Sequence, residues 1–134
     1  MEVHVNYLAV LIAAFANYLF AYIWYAVIFS KLWSSLTGIT EMKPNPIKII
    51  IVFIGALVMS FVLYHEIVFG DYFTGISGIK GGIMAGFFSW IGFIAPLTIT
   101  GVVYEKKSWK LWILDNAFWL IALLIMGAIE SIWI

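Results

Sequence analysis

The chain has 134 residues, 65% hydrophobic, 19% aromatic and only 10% charged, with a mean hydropathy of +1.09. A water-soluble domain of that size needs far more polar surface to cover its core. Seven lysines balance seven acidic residues without any dense basic cluster, which argues against nucleic acid as a partner. The lack of cysteine excludes disulfides, thiolate chemistry and cysteine-ligated metals.

The first six residues lack the basic stretch of a secretory signal, so the first apolar run is expected to stay in the mature protein. That run, Tyr7 to Phe29, is uncharged and exceeds the roughly 20 residues needed to cross a hydrocarbon core. Ala9, Ala13, Asn17 and Ala21 recur along it in one narrow stripe suited to close helix contact. A loop from Ser30 to Pro46 follows, with an interfacial segment around Lys31, Leu32 and Trp33 that Gly38 ends. The Pro44, Asn45, Pro46 turn then restarts the chain as a helix.

The second span is expected over 47–69 and carries Ala56 and Ser60 as its small residues, with His65 and Glu66 near its end. The third, 81–104, is rich in glycine and interrupted by Pro96. Gly82, Gly86, Ser89 and Gly92 lie on or near one face of it, which makes it the expected centre of the bundle or of a subunit interface. A hinge at Gly92 and Pro96 beside a cavity is the functional reading of the same pattern. The fourth span, 109–132, holds Asp115 and Glu130. Short connections make neighbouring spans antiparallel, and the fold expected is an all-α, integral membrane four-helix bundle in one domain. The segment Val27 to Trp33 echoes Val102 to Trp109, and Gly55 to Met59 echoes Ile121 to Met126. Two repeated helical hairpins and chance likeness between apolar segments both account for this.

Six of the seven lysines fall in or beside the first and third loops: Lys31, Lys43, Lys48, Lys106, Lys107 and Lys110. The positive-inside rule puts those loops in the cytoplasm and both termini outside, in a cell membrane of the prokaryotic plasma-membrane kind. Trp33, Trp109, Trp112 and Trp133 read as interfacial anchors.

Asp115 stands out among the polar residues, because it lies about 9 Å along the helix from Trp109. A carboxylate at the bilayer centre costs roughly 2.5–3.5 kcal/mol, and less nearer the edge. Either Lys107 or Lys110 reaches down to pair with it, or it is the polar anchor of a proton, cation or ligand site. Asn116 beside it and Asn17 in the first span extend this intramembrane polar site, with Trp119 on the same helix face, or else simply bond neighbouring helices. At the opposite end His65, Glu66 and Glu130 form either an outer cation or zinc site or just solvated helix ends; their spacing matches no metal motif. Catalytic motifs are lacking: there is no HExxH, nucleophile elbow or phosphate loop.

These residues also carry a resemblance. Asn6 to Val10, Trp24 and Tyr25 with Phe29, Lys31 and Trp33, Gly92 to Pro96, Tyr104 and Glu105 with Trp109 and Lys110, and Asn116 with Trp119 to Leu124 occur in order along nearly the whole chain. In this the chain resembles the DUF1761 family of small, uncharacterised multi-pass membrane proteins. The resemblance implies a four-helix membrane domain and brings no established activity or cofactor; Asp115 and the His65–Glu66 pair have no clear place in the family pattern. The expected function is therefore a non-enzymatic transport, channel or ligand-binding module, working as a homo-oligomer or with other membrane subunits. The alternative is a structural or accessory subunit of a membrane complex.

Overall fold

In lipid every backbone N–H and C=O must find a partner within the protein, and a helix achieves this within a single segment. The computed structural model describes residues 2–40 and 43–134, and among these the ordered elements are all helical. Helix α1 (Tyr7–Tyr22) runs on into a π-helical turn, Ile23–Ile28. The short helix α2 (Ser30–Thr37) is followed by α3 (Pro46–Thr74) and α4 (Gly78–Ser89). A second π-helical turn, Trp90–Ile94, leads into α5 (Ala95–Tyr104), and α6 (Trp109–Ser131) completes the chain. The four continuous rods Tyr7–Ile28, Pro46–Thr74, Gly78–Tyr104 and Trp109–Ser131 are each long and apolar enough to cross a membrane. The second thus runs on past Phe69, and the third begins before Gly81.

The ends of these rods are closed locally. Asn6 Oδ1 accepts from the backbone N–H groups of Leu8 and Ala9 at 3.1 and 3.3 Å. Asn45 and Ser108 cap α3 and α6 in the same way. Gly38 and Gly75 stop α2 and α3 in the left-handed conformation, with φ of 75° and 72°, where a side chain would be strained.

Packing centres on α6, which lies against α4 and α1, while α3 bridges α1 and α4. The α4–α6 contact is backbone on backbone. A Cβ placed on Gly82 would lie 2.0 Å from Gly127 O, and one on Gly127 2.1 Å from Gly82 O. At Gly86 it would meet Leu123 O at 2.5 Å. Such contacts are how helices adhere where lipid supplies no hydrophobic drive. On α1, Ala9 and Ala13 are fully buried and Asn17 nearly so, whereas Ala21 is only half-buried. Ala56 and Ser60 on α3 are buried too. Ala13, Leu63, Ile67, Leu123 and Met126 fill the middle of the bundle, which leaves no axial channel there.

Two residues expected on the packing face are not on it. A Cβ on Gly92 would meet nothing within 4 Å, and Pro96 is exposed on the outside of the bundle. The cause is the π-helical turn, whose wider i→i+5 spacing rotates everything beyond Ser89 relative to the Gly82–Gly86 face. Ser89 itself points to α3, where its hydroxyl meets Glu66.

Replacing Gly82 or Gly127 by alanine should destabilise the protein by about 1–3 kcal/mol through backbone displacement. At Gly92 the same change should be neutral or stabilising by up to about 1 kcal/mol, because only helix propensity changes. Reversible unfolding in mixed micelles, comparing the three single variants, checks the contrast.

Candidate functional site

The site is built where α6 begins, at the end of the bundle that carries the lysine-bearing loops. Asp115 lies in the second turn of α6, and Tyr25 lies in the π-helical turn that ends the first span. The Tyr25 hydroxyl donates to Asp115 Oδ1 at 2.6 Å, across 90 residues of sequence. This is a charge-assisted type of contact when the acid is ionised. Aromatic rings hold the phenol in place. Phe118 is 2% exposed, stacks on Phe20 with centroids 5.4 Å apart, and has its centroid 5.2 Å from that of Tyr25. The indole of Trp33, from α2, meets Tyr25 edge-on at 6.4 Å.

Asp115 also stands at a wall between two cavities. One, of about 340 Å³, lies between α5 and α6 and is bordered by Thr98, Lys107, Trp112, Asp115, Asn116 and Trp119. The other, of about 430 Å³, lies on the α1 side of α6 and is bordered by Tyr18, Tyr22, Tyr25, Trp33, Asp115 and Trp119. Asp115 and Trp119 are common to both. Volumes of this size are typical of small-molecule sites, which span roughly 300–1,000 Å³.

Asn116 is adjacent in sequence but serves the opposite neighbour. Its Nδ2 donates to Thr98 Oγ1 at 3.1 Å and to Trp112 O at 3.0 Å. Trp112 Nε1 also donates to Thr98 Oγ1, at 3.1 Å, and the Thr98 hydroxyl in turn donates to Ile94 O at 2.7 Å. This network ties α6 to α5 and satisfies a carbonyl of the π-helical turn. Asn17 does not join Asp115. It is buried, its Oδ1 has no partner among the described residues, and it precedes Tyr25 by eight residues, about 12 Å along the helix. The expected polar centre is therefore Asp115 with Tyr25 and Trp119; Asn116 bonds a helix, and Asn17 stands apart.

The expected lysine partner is also replaced. Lys107 pairs with Glu105 at 3.2 Å, the one ion pair among the described residues, and the Asp115 carboxylate rests on the phenol instead. Lys107 still borders the same cavity as Asp115, so a positive charge stands at the mouth of that cavity without contacting the acid.

At the far end, His65, Glu66 and Glu130 are set apart. Successive residues of a helix point about 100° apart, so His65 and Glu66 cannot share a ligand; His65 Nδ1 donates to Phe61 O at 2.8 Å, while Glu66 turns to Ser89. Glu130 is not a solvated end at all. It is completely buried, its carboxyl bonds the Ser60 hydroxyl, and that hydroxyl also reaches Val10 O at 2.8 Å. The second carboxyl oxygen, Oε2, has no hydrogen-bond partner. Among the described residues no three His, Asp or Glu side chains gather closely enough to hold a metal ion.

Four apolar rods around a tightly filled centre, with polar groups paired inside them, define a multi-pass membrane protein. Within that class the chain belongs to the family DUF1761, described as protein of unknown function, whose family model matches residues 8–130. No curated protein and no solved structure matches the chain.

Hydrogen bonds between membrane helices average about 0.6 kcal/mol and reach about 1.7 kcal/mol. A double-mutant cycle with Tyr25→Phe and Asp115→Asn should give a coupling within that range. A cycle pairing Asp115→Asn with Thr98→Val, measured by unfolding in the same micelles, should give none.

Proposed function

We propose that the protein is a membrane-embedded transport or ligand-binding module whose polar centre is Asp115, and that it acts on a small cation or polar solute. The observation that carries this reading is the position of Asp115 in the wall between two cavities on different sides of α6. A carboxyl placed only for packing has no need of open volume on both sides. A solute entering the cavity between α5 and α6 meets Lys107, Thr98 and Asp115 in turn; the second cavity receives it among Tyr18, Tyr22 and Tyr25. Tyr25, held by its bond to Asp115, separates the two. Breaking that single bond is the smallest movement that joins them. Nucleophile–base and metal constellations play no part in this reading, so no enzymatic step is assigned.

A path along the flank of α6, instead of through a bundle centre occupied by Ala13, Leu63 and Met126, makes a second copy or another membrane subunit the natural partner. In the orientation that follows from the lysines, the Asp115 end faces the cytoplasm of a prokaryotic cell and both termini face outward.

Two measurements test this. In proteoliposomes, wild-type protein should carry proton or potassium flux above that of protein-free vesicles. Asp115→Asn should lower that flux at least tenfold while remaining monodisperse in detergent. Absence of wild-type flux for either ion would favour the accessory-subunit reading. Because the chain has no cysteine, single substitutions report topology cleanly. Ser77→Cys should react with an impermeant maleimide on intact cells, and Ser35→Cys only after permeabilisation.

A further inference from the structure

A second acidic site lies on the other side of the bundle, and the Asp115 reading does not use it. Glu66 of α3 and Ser89 of α4 bond each other across the groove between these helices, and the Ser89 hydroxyl also lies 2.9 Å from Ala85 O. Ser89 is eleven residues from Gly78 and fifteen from Tyr104, about 17 and 23 Å along the rod. The pair is therefore near the middle of the bilayer. Beside it the groove widens into a cavity of about 340 Å³ bordered by Phe69, Gly70, Met84, Phe88, Phe93 and Glu66. An adjoining one of about 220 Å³, bordered by Val62, Leu63, Phe93 and Glu66, continues it along α3. Phe88 and Phe93 are 62% and 69% exposed, so the groove opens toward lipid and not toward water.

We propose that this groove binds a bulky apolar cation that arrives from the membrane, with Glu66 as its counter-charge. Three observations converge on that class of ligand. The walls are almost wholly aromatic or aliphatic, which suits an apolar body. Their one ionisable group is an acid, and it is not among the ion pairs formed by the described residues. A carboxylate at the membrane centre is costly when alone, and positive charge on a ligand is what offsets that cost. The rings of Phe69, Phe88 and Phe93 add faces on which a cation is favoured over an anion. Neutral lipid chains fill the same groove without using Glu66, and anions are repelled by it. Gly70 leaves the groove open: a Cβ there meets nothing within 4 Å.

Tetraphenylphosphonium and tetraphenylborate share one shape and carry opposite charges, which makes them the discriminating probes. Equilibrium dialysis of detergent-solubilised protein should show saturable tetraphenylphosphonium binding near one per chain, uncompeted by tetraphenylborate. Glu66→Gln should weaken it at least tenfold, while Glu66→Asp should retain part of it. Gly70→Phe fills the groove where the backbone has room, so it should abolish binding and still fold even if the Glu66 variants do not. Asp115→Asn should bind the probe like wild type. No saturable wild-type binding, equal competition by tetraphenylborate, or undiminished binding in Gly70→Phe would each overturn the proposal. A loss of binding in Asp115→Asn equal to that in Glu66→Gln would do so as well, by moving the cation to the other site.

Discussion

Gly82 and Gly127 bring two helix backbones together with nothing between them, and the rest of the bundle takes its spacing from that contact. In a bilayer the helices have no hydrophobic reason to leave lipid for one another. Close approach of α4 and α6 substitutes for it, because each backbone gains the dispersion contacts that a side chain would have held off. Once α6 is fixed on one side by glycine, its other side is free for the alanine stripe of α1. Larger residues, Leu63, Ile67, Leu123 and Met126, then fill the wedge that remains. The result is a bundle closed at its centre whose usable space lies in grooves between neighbouring helices. That is why all three carboxyl groups discussed above sit at helix–helix seams.

Those three acids divide by surroundings. Glu130 is sealed against Ser60 with no exposure, and its unpartnered oxygen is buried among apolar side chains and small residues. Asp115 is half-buried between two cavities and held by a phenol. Glu66 is half-buried beneath a lipid-facing groove and held by a serine. Each uses a hydroxyl from another helix, and none uses a lysine. The lysines described here all lie at or beyond the rod ends, where water solvates them. Hydroxyl partners leave an acid able to accept a further ligand, which a lysine partner would have blocked. This difference separates a site from a structural ion pair.

Much of the architecture is legible in the chain because apolar length and small-residue spacing are strong signals. The four rods, the cap at Asn45, the stop at Gly38 and the glycine face at Gly82 and Gly86 follow from them directly. Pairings across sequence are another matter. Nothing near Tyr25 marks it as the partner of Asp115, since the two are brought together only when α1 and α6 pack. Glu130 reads as a helix end because it is four residues from the last residue of the chain, yet the packing of α1 and α3 over it removes all solvent. Gly92 and Pro96 fit the glycine face under a uniform helical repeat, and only the π-helical turn between Ser89 and Ala95 displaces them. A local change in repeat has no apolar signature, so periodicity cannot reveal it.

The π-helical turn at Ile23–Ile28 has a consequence for how the first span meets bilayers of different thickness. A helix with one surplus residue carries two stretches whose relative phase is set by counting. Ala9 and Ala13 are keyed to the far half of the bundle, and Tyr25 is keyed to Asp115. Adding or losing a residue between them turns one stretch by about 100° against the other, so the span has no freedom to lengthen or shorten there. Mismatch with a thinner or thicker membrane must instead be absorbed by tilt of the whole bundle, or at the loops beyond it. The inner architecture is thus kept at fixed length, and adaptation is confined to the margins.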